Sequence, residues 1–173
     1  MSSGLIFILG GAASGKSEYA ERLTDTAGKT RHYLATSQPL DDEMRGKVAK
    51  HRARRDAGWT THEAPLELGP VLSTLGVDCI CLVDCATFWL SNHMMADSDL
   101  TSAQDRLLSD IATCTAGIII VSNEVGQGIV PGDALSRRFR EAQGRLNIAL
   151  AARAETVVQV VAGLPNLLKG TLP

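Results

Sequence analysis

The chain has 173 residues, 45% of them apolar, and a formal net charge of -2. That length buries one core without disulfides or metals, so a single domain spanning residues 1–173 is expected, and the composition excludes disorder and a generally nucleic-acid-binding surface. No apolar run approaches the roughly 18 residues that cross a bilayer, and the opening "MSSG" lacks the layout of a signal peptide, so a cytoplasmic location without a membrane span is expected.

In chain order, five short runs read as buried strands: Leu5 to Leu9, His32 to Thr36, Cys79 to Asp84, Gly117 to Val121 and Thr156 to Val161. Their nearly continuous apolar character suits a parallel sheet covered on both faces. Helical patterns lie between them. Tyr19, Ala20, Leu23 and Ala27 share one face of the first, with Gly28 as its stop. A second pattern runs from Leu40 to Arg55, acidic at its start and basic at its end, which complements a helix dipole. The least regular stretch, Ala57 to Pro70, has room for a short extra strand around Trp59 to Glu63. Ser102 and Asp105 form a capping pair ahead of Leu107, Leu108 and Ile111. Asp133 caps the longest pattern, in which Leu135, Phe139, Ala142, Leu146 and Leu150 recur with a period of about 3.6. This alternation predicts an α/β fold with a mainly parallel sheet flanked by helices, ligands sitting beyond the carboxyl ends of the strands.

Between the first strand and the first helix, Gly10, Gly11, Ala12, Ala13, Ser14, Gly15, Lys16 and Ser17 fit G-x-x-x-x-G-K-[ST], the P-loop. Its glycines let backbone N–H groups turn inward around phosphate oxygens at a helix N-terminus. Lys16 then reaches the β and γ phosphates, and Ser17 offers its hydroxyl to Mg2+. Such a loop needs an acid near the metal, and Asp84, closing "CICLVD", fits that place; its alternative use is to cap the helix that follows. The four cysteines show no zinc spacing and read as small core residues.

Two further stretches bear on chemistry. On helical spacing Met44, Val48, His51 and Arg55 share one face, which puts an imidazole and a guanidinium one turn apart. From the residues alone this is either a dipole-matched solvated helix end or a histidine whose neutral nitrogen attacks phosphorus while arginines hold the phosphate oxygens. The loop "VSNEVGQGIVPGDAL" puts Ser122, Asn123 and Glu124 at a strand's carboxyl end. It is either an active-site loop or a plain connection to the Asp133 cap. Arg137, Arg138, Arg140 and Arg145 read as the solvated side of the long helix, and 4% aromatics give no base-stacking pattern, so no nucleic-acid partner is expected.

Taken in order, "GGAASGKS", "YLATSQPLDDEM", "HRARR" with "GWTTHEAP", "LVDCATFWLSN", "VSNEVGQGIVP", "RRFREAQGRLN" and "VVAGLPNLLKG" resemble one family over nearly the whole chain. It is the bifunctional adenosylcobinamide kinase and adenosylcobinamide-phosphate guanylyltransferase family of cobalamin biosynthesis. Ala13 departs from the family pattern, where arginine is common, and so do Ala86 and Phe88, where leucine is usual.

The resemblance implies a P-loop NTPase fold of the RecA-like three-layer type and two reactions. The γ-phosphate of ATP or GTP passes to the hydroxyl of adenosylcobinamide, and GTP then supplies GMP to the resulting phosphate through a phosphorus–nitrogen bond to a histidine. The matching histidine is His51, which must be neutral to attack, as an ordinary pKa near 6.5 permits. Residues 10 to 17, Ala35, Thr36, Ser37, Arg52, Ala53, Arg54, Arg55, Glu63 and Asp84 match the family's nucleotide contacts. The resemblance further implies Mg2+ held near Ser17 and Asp84, catalytic roles for Lys16 and His51, and a homotrimer. Glu124 is a candidate base for the cobinamide hydroxyl. The residues leave two other functions open: a small-molecule P-loop kinase without nucleotidyl transfer, and a nucleotide-gated switch whose output is a conformational change.

Overall fold

The computed structural model describes residues 4–38 and 55–172. The helical pattern read over Leu40 to Arg55 therefore lies, apart from Arg55, outside the described residues. Among these, seven strands form one sheet: β1 Leu5–Gly10, β2 Thr30–Ala35, β3 Trp59–Glu63, β4 Cys79–Asp84, β5 Gly117–Asn123, β6 Thr156–Val161 and β7 Leu164–Lys169. Their order across the sheet is β3-β2-β4-β5-β1-β6-β7, parallel throughout except for β7, which runs antiparallel to β6.

The helices are α1 Lys16–Thr26, α2 Gly69–Leu72, α3 Ala86–Met95, α4 Leu100–Thr113 and α5 Ala134–Arg153. They explain why the strands are continuously apolar: alternate residues enter two different cores. Ile8, Leu82, Ile119, Val121 and Val158 pack with Tyr19, Ala20 and Leu23 of α1 on one face. Phe7, Leu34, Val83, Ile118 and Ile120 pack on the other with Leu72, Trp89, Leu107, Leu146 and Leu150 of the remaining helices. Both faces being covered, a polar residue in a strand reaches the ligand-accessible space chiefly at the strand end.

Three expectations are corrected. The strand β7 was not foreseen; Leu164 and Pro165 follow a two-residue turn in which Ala162 and Gly163 both have positive φ, 51° and 78°, the conformation that joins antiparallel strands tightly. The cap of α4 is Asp99, whose Oδ1 accepts from the Thr101 and Ser102 N–H groups, rather than the Ser102–Asp105 pair. Leu135, placed on the packed face of α5, is 64% exposed, in a helix start where residues 133–138 are all exposed. Asp133 does cap α5, accepting from the Ser136 N–H at 2.8 Å, and Gly28 with φ 66° ends α1 as read. No helix among the described residues is long and apolar enough to cross a membrane.

Candidate active site

Because β1 to β5 are parallel, their carboxyl ends share one edge of the sheet. The register places Ala35 between Glu63 and Asp84, and Gly10 opposite Asn123. Residues far apart in sequence are thus brought into one row: the end of β3, the end of β2, the acid closing β4 and the start of the P-loop. Of the residues read from the sequence, His51, Arg52, Ala53 and Arg54 lie outside the described residues, and the rest are found along this edge.

The P-loop folds tightly enough that its glycines are needed. A Cβ on Gly10 would stand 2.5 Å from Ser14 Oγ and 2.6 Å from the Val160 carbonyl. Gly15, the N-cap of α1, has φ 90°, and a Cβ there would stand 3.0 Å from Gly163 Cα. Gly11, Ala12 and Ala13 are exposed, with Ala13 at φ 55°, so the top of the loop faces solvent with its backbone accessible. Ser14 Oγ is buried without a hydrogen-bond partner, a polar atom turned into the loop's interior.

Lys16 bends over this loop, its Nζ donating to the Gly11 carbonyl at 3.1 Å. Burial lowers its pKa, and the neighbouring Cys85 and Asp84 act in the opposite direction. Asp84 is therefore beside the P-loop lysine. The alternative use of Asp84 as a helix cap is not taken up, since Cys85 is the N-cap of α3. The donors near Lys16 are oxygen groups, the Ser17 hydroxyl and the Asp84 carboxylate. They fit a hard divalent cation such as Mg2+, which takes one or two protein oxygens and keeps waters and phosphates for its other positions. No group of three or more metal-ligating side chains occurs among the described residues, which accords with the cysteines being free and partly or fully buried.

Tyr33, which the sequence reading passed over, connects two of these groups. Its hydroxyl hydrogen-bonds Asp84, and its ring carries the Arg55 guanidinium, with Cζ 3.4 Å from the ring centroid. Burial first, then the Asp84 charge, pushes the phenol pKa far up, so the hydroxyl stays a proton donor. Arg55 is the residue at which the described chain resumes, and one of its guanidinium nitrogens, Nη1, is buried without a partner. The signal for Tyr33 was its place in "HYLA", two residues before the strand end and on the same sheet face as Ala35.

The strand ends are held rigidly from behind. Thr36 Oγ1 donates to the Cys85 carbonyl at 2.7 Å and accepts from the Cys85 N–H at 2.8 Å. Asn92 of α3 donates to the carbonyls of Thr36 and Pro65 at 2.8 and 2.9 Å. Ser122 is fully buried, its Oγ 2.7 Å from Asn147 Oδ1 and 3.0 Å from Gln143 Nε2, and Asn147 Nδ2 donates to the Asn123 carbonyl at 3.2 Å. Thr36 and Ser122 thus spend their hydroxyls on the scaffold. Glu124 stays at the edge, its N–H donating to the Gly10 carbonyl at 3.0 Å.

Residues 6–168 match the family model described as cobinamide kinase / cobinamide phosphate guanyltransferase. The chain belongs to this family. It is 46% identical, over 94% of its length and 96% of the relative's, to the bifunctional adenosylcobalamin biosynthesis protein CobP of Pseudomonas aeruginosa. Against CobU of Salmonella typhimurium it is 39% identical, covering 92% of this chain and 97% of that one. Among solved structures, an ATPase of the type III secretion system of pathogenic bacteria superposes with a TM-score of 0.58 at 9% identity, covering 96% of this chain and 57% of the other. That likeness concerns the fold alone. The fold is that of a P-loop NTPase, with helices on both faces of a mostly parallel sheet.

Proposed function

We propose that this chain phosphorylates adenosylcobinamide with ATP or GTP and then transfers GMP from GTP to the product, giving adenosylcobinamide-GDP and pyrophosphate. The observation that carries the reading is its family membership over residues 6–168. The meeting of Lys16, Asp84 and the P-loop at one sheet edge supplies the phosphate-handling chemistry such an enzyme needs.

In the first reaction the acceptor hydroxyl oxygen attacks the γ-phosphorus, the bond to the β–γ bridging oxygen breaks, and the hydroxyl proton is lost; Glu124 is a candidate to take it. Backbone N–H groups of residues 10 to 17 hold the phosphate oxygens, and Lys16 offsets the charge that builds on the leaving oxygen. Mg2+, when held by the Ser17 and Asp84 oxygens, supplies further charge neutralisation.

In the second reaction neutral His51 attacks the α-phosphorus of GTP, the bond to the α–β bridging oxygen breaks, and pyrophosphate leaves. A phosphate oxygen of adenosylcobinamide phosphate then attacks the same phosphorus, and the P–N bond breaks with its electron pair returning to the imidazole. Arg52, Arg54 and Arg55 hold phosphate oxygens. Ala35, Thr36, Ser37 and Ala53 line the nucleotide through backbone and van der Waals contact. Glu63, exposed at the end of β3, offers a carboxylate to the N–H donors of guanine. The proposal includes a homotrimer in the cytoplasm.

The test is to incubate the chain with GTP labelled at the α-phosphate, denature it, and look for label that is acid-labile and alkali-stable. Wild type should carry it and a folded His51→Ala variant should not. Phosphorylation of cobinamide by an unlabelled wild type would reduce the reading to a plain kinase.

A further inference from the structure

The residues after β5 leave the active-site edge and turn along α5, forming an open groove of about 700 Å3. It begins at Gly126, two residues from Glu124, whose N–H is bonded to the P-loop carbonyl of Gly10, so the loop that opens the groove starts beside the nucleotide loop. Its lining is unlike an ordinary solvated helix face in two ways. Arg137, Arg138, Arg140 and Arg145 all border it, four guanidiniums to the single carboxylate of Glu141, on a chain whose net charge is -2. Beside them stand two apolar side chains that nothing covers, Val130 at 66% and Ile148 at 72% exposure.

The arginines differ in what they already do. Arg137 Nη1 donates to the carbonyls of Pro131 and Gly132 at 2.9 and 2.6 Å, and Arg140 Nη2 donates to that of Gly126, so both hold the loop against the helix. Arg140 Nη1, by contrast, is buried without a partner. Arg145 meets Glu141 at 3.6 Å, with both side chains about three-quarters exposed. A buried guanidinium nitrogen without an acceptor is costly unless a ligand supplies one.

We propose that this groove is the acceptor site, in which the α5 guanidiniums hold the phosphate of adenosylcobinamide phosphate while Val130 and Ile148 lie against methyl groups of its corrin ring. The proposal rests on the function given above. Phosphate on a bulky macrocycle that carries methyl groups among its amide arms is chemistry that matches forked N–H donors next to uncovered aliphatic surface. A two-fold contact with a second copy would set this row of guanidiniums against itself, and a cyclic contact is told apart by the light-scattering measurement below. The two half-reactions differ in a way the groove predicts: cobinamide enters the first without a phosphate, and its phosphate enters the second with one.

The experiment measures both half-reactions in wild type, Arg140→Gln, Arg140→Lys and Arg145→Gln. In Arg140→Gln and Arg145→Gln, KM for adenosylcobinamide phosphate should rise about tenfold, the order expected for losing one charge-assisted hydrogen bond. KM for unphosphorylated adenosylcobinamide should change much less, and covalent labelling by α-labelled GTP should be unchanged. Arg140→Lys should recover part of the loss. An unchanged acceptor KM in both glutamine variants overturns the proposal, and so does an equal rise for both acceptors. A change in oligomeric state by light scattering with acceptor KM intact assigns the groove to a second copy instead. If wild type makes neither product, the proposed function itself fails, which is a different result from any of these.

Discussion

Gly163, in the turn between β6 and β7, donates its backbone N–H to the carbonyl of Ser14 at 2.8 Å. The hairpin that the sequence reading missed therefore braces the P-loop from its sheet side. Contact is close: Gly163 Cα is where a Cβ on Gly15 would meet it at 3.0 Å, and Gly15 already has φ 90°. Gly15→Ala combines a strained backbone with a clash against main chain, at about 1–3 kcal/mol. We expect it to weaken GTP binding at least about tenfold in a calorimetric titration. Gly163→Ala keeps the N–H and meets nothing within 4 Å, so only the backbone strain of about 1 kcal/mol remains, and a loss of a few-fold is expected. Equal, wild-type affinities would show that the hairpin does not set the loop.

Thr36 offers a test of the scaffold without touching phosphate chemistry. Its buried hydroxyl satisfies both the N–H and the carbonyl of Cys85. Thr36→Val is nearly isosteric but strands the Cys85 N–H, while the Cys85 carbonyl keeps the Trp89 N–H at 3.1 Å, which should lower stability by about 1–3 kcal/mol. Thr36→Ser restores the hydroxyl and should regain most of it. Urea unfolding of the two variants checks the order, and Val matching Ser would mean that water takes over the bond to the Cys85 N–H.

How far the fold was legible follows from which forces act locally. All five strands read from apolar runs, and the extra strand Trp59–Glu63, fall within two residues of those observed, because burial on both sheet faces writes itself into consecutive residues. β7 escaped for the opposite reason: all six of its residues are exposed, and Pro165 argues against a strand except at an edge, which is where it lies. The P-loop was legible since its glycines answer to local backbone geometry. The pairing of Tyr33 with Asp84 and Arg55 was not, because it depends on the register of β2 against β4, a property of the assembled sheet. The role read for His51 rests on resemblance, and that residue lies outside the described residues.

Tyr33 separates two contributions. Tyr33→Phe keeps the ring beneath Arg55 and removes the hydroxyl that bonds Asp84. Losing a bond to a charged group costs about 1.5–3 kcal/mol. If that bond holds Asp84 in place for phosphoryl transfer, kcat of the kinase step should fall about tenfold with KM for nucleotide little changed. Tyr33→Leu also removes the platform for the guanidinium, a cation–π contact worth about 1–2 kcal/mol, and should raise KM for GTP several-fold in addition. Steady-state kinetics of the pair would reject this division of labour if Phe and Leu behaved alike.

The pair formed by His32 on β2 and His62 on the edge strand β3 gives the chain an acid sensitivity of its own. His32 Nδ1 lies 3.0 Å from His62 Nε2 and the rings are stacked with centroids 5.2 Å apart. One N–H between two ring nitrogens needs one of them to be an unprotonated acceptor. Burial, and then the neighbouring His62, lower the His32 pKa from its ordinary value. A histidine lowered in the fold is neutral there while its unfolded counterpart, with a pKa near 6.5, takes up a proton as pH falls. The unfolded state then binds more protons, so stability declines from about pH 6.5 down to the lower pKa of His32 in the fold, and levels off below it. Wild type should therefore lose urea midpoint between about pH 7.5 and pH 5.5. His32→Gln, which can still hydrogen-bond to His62 but does not titrate, should lose measurably less over the same interval. An equal decline in both proteins would place the acid sensitivity in other groups.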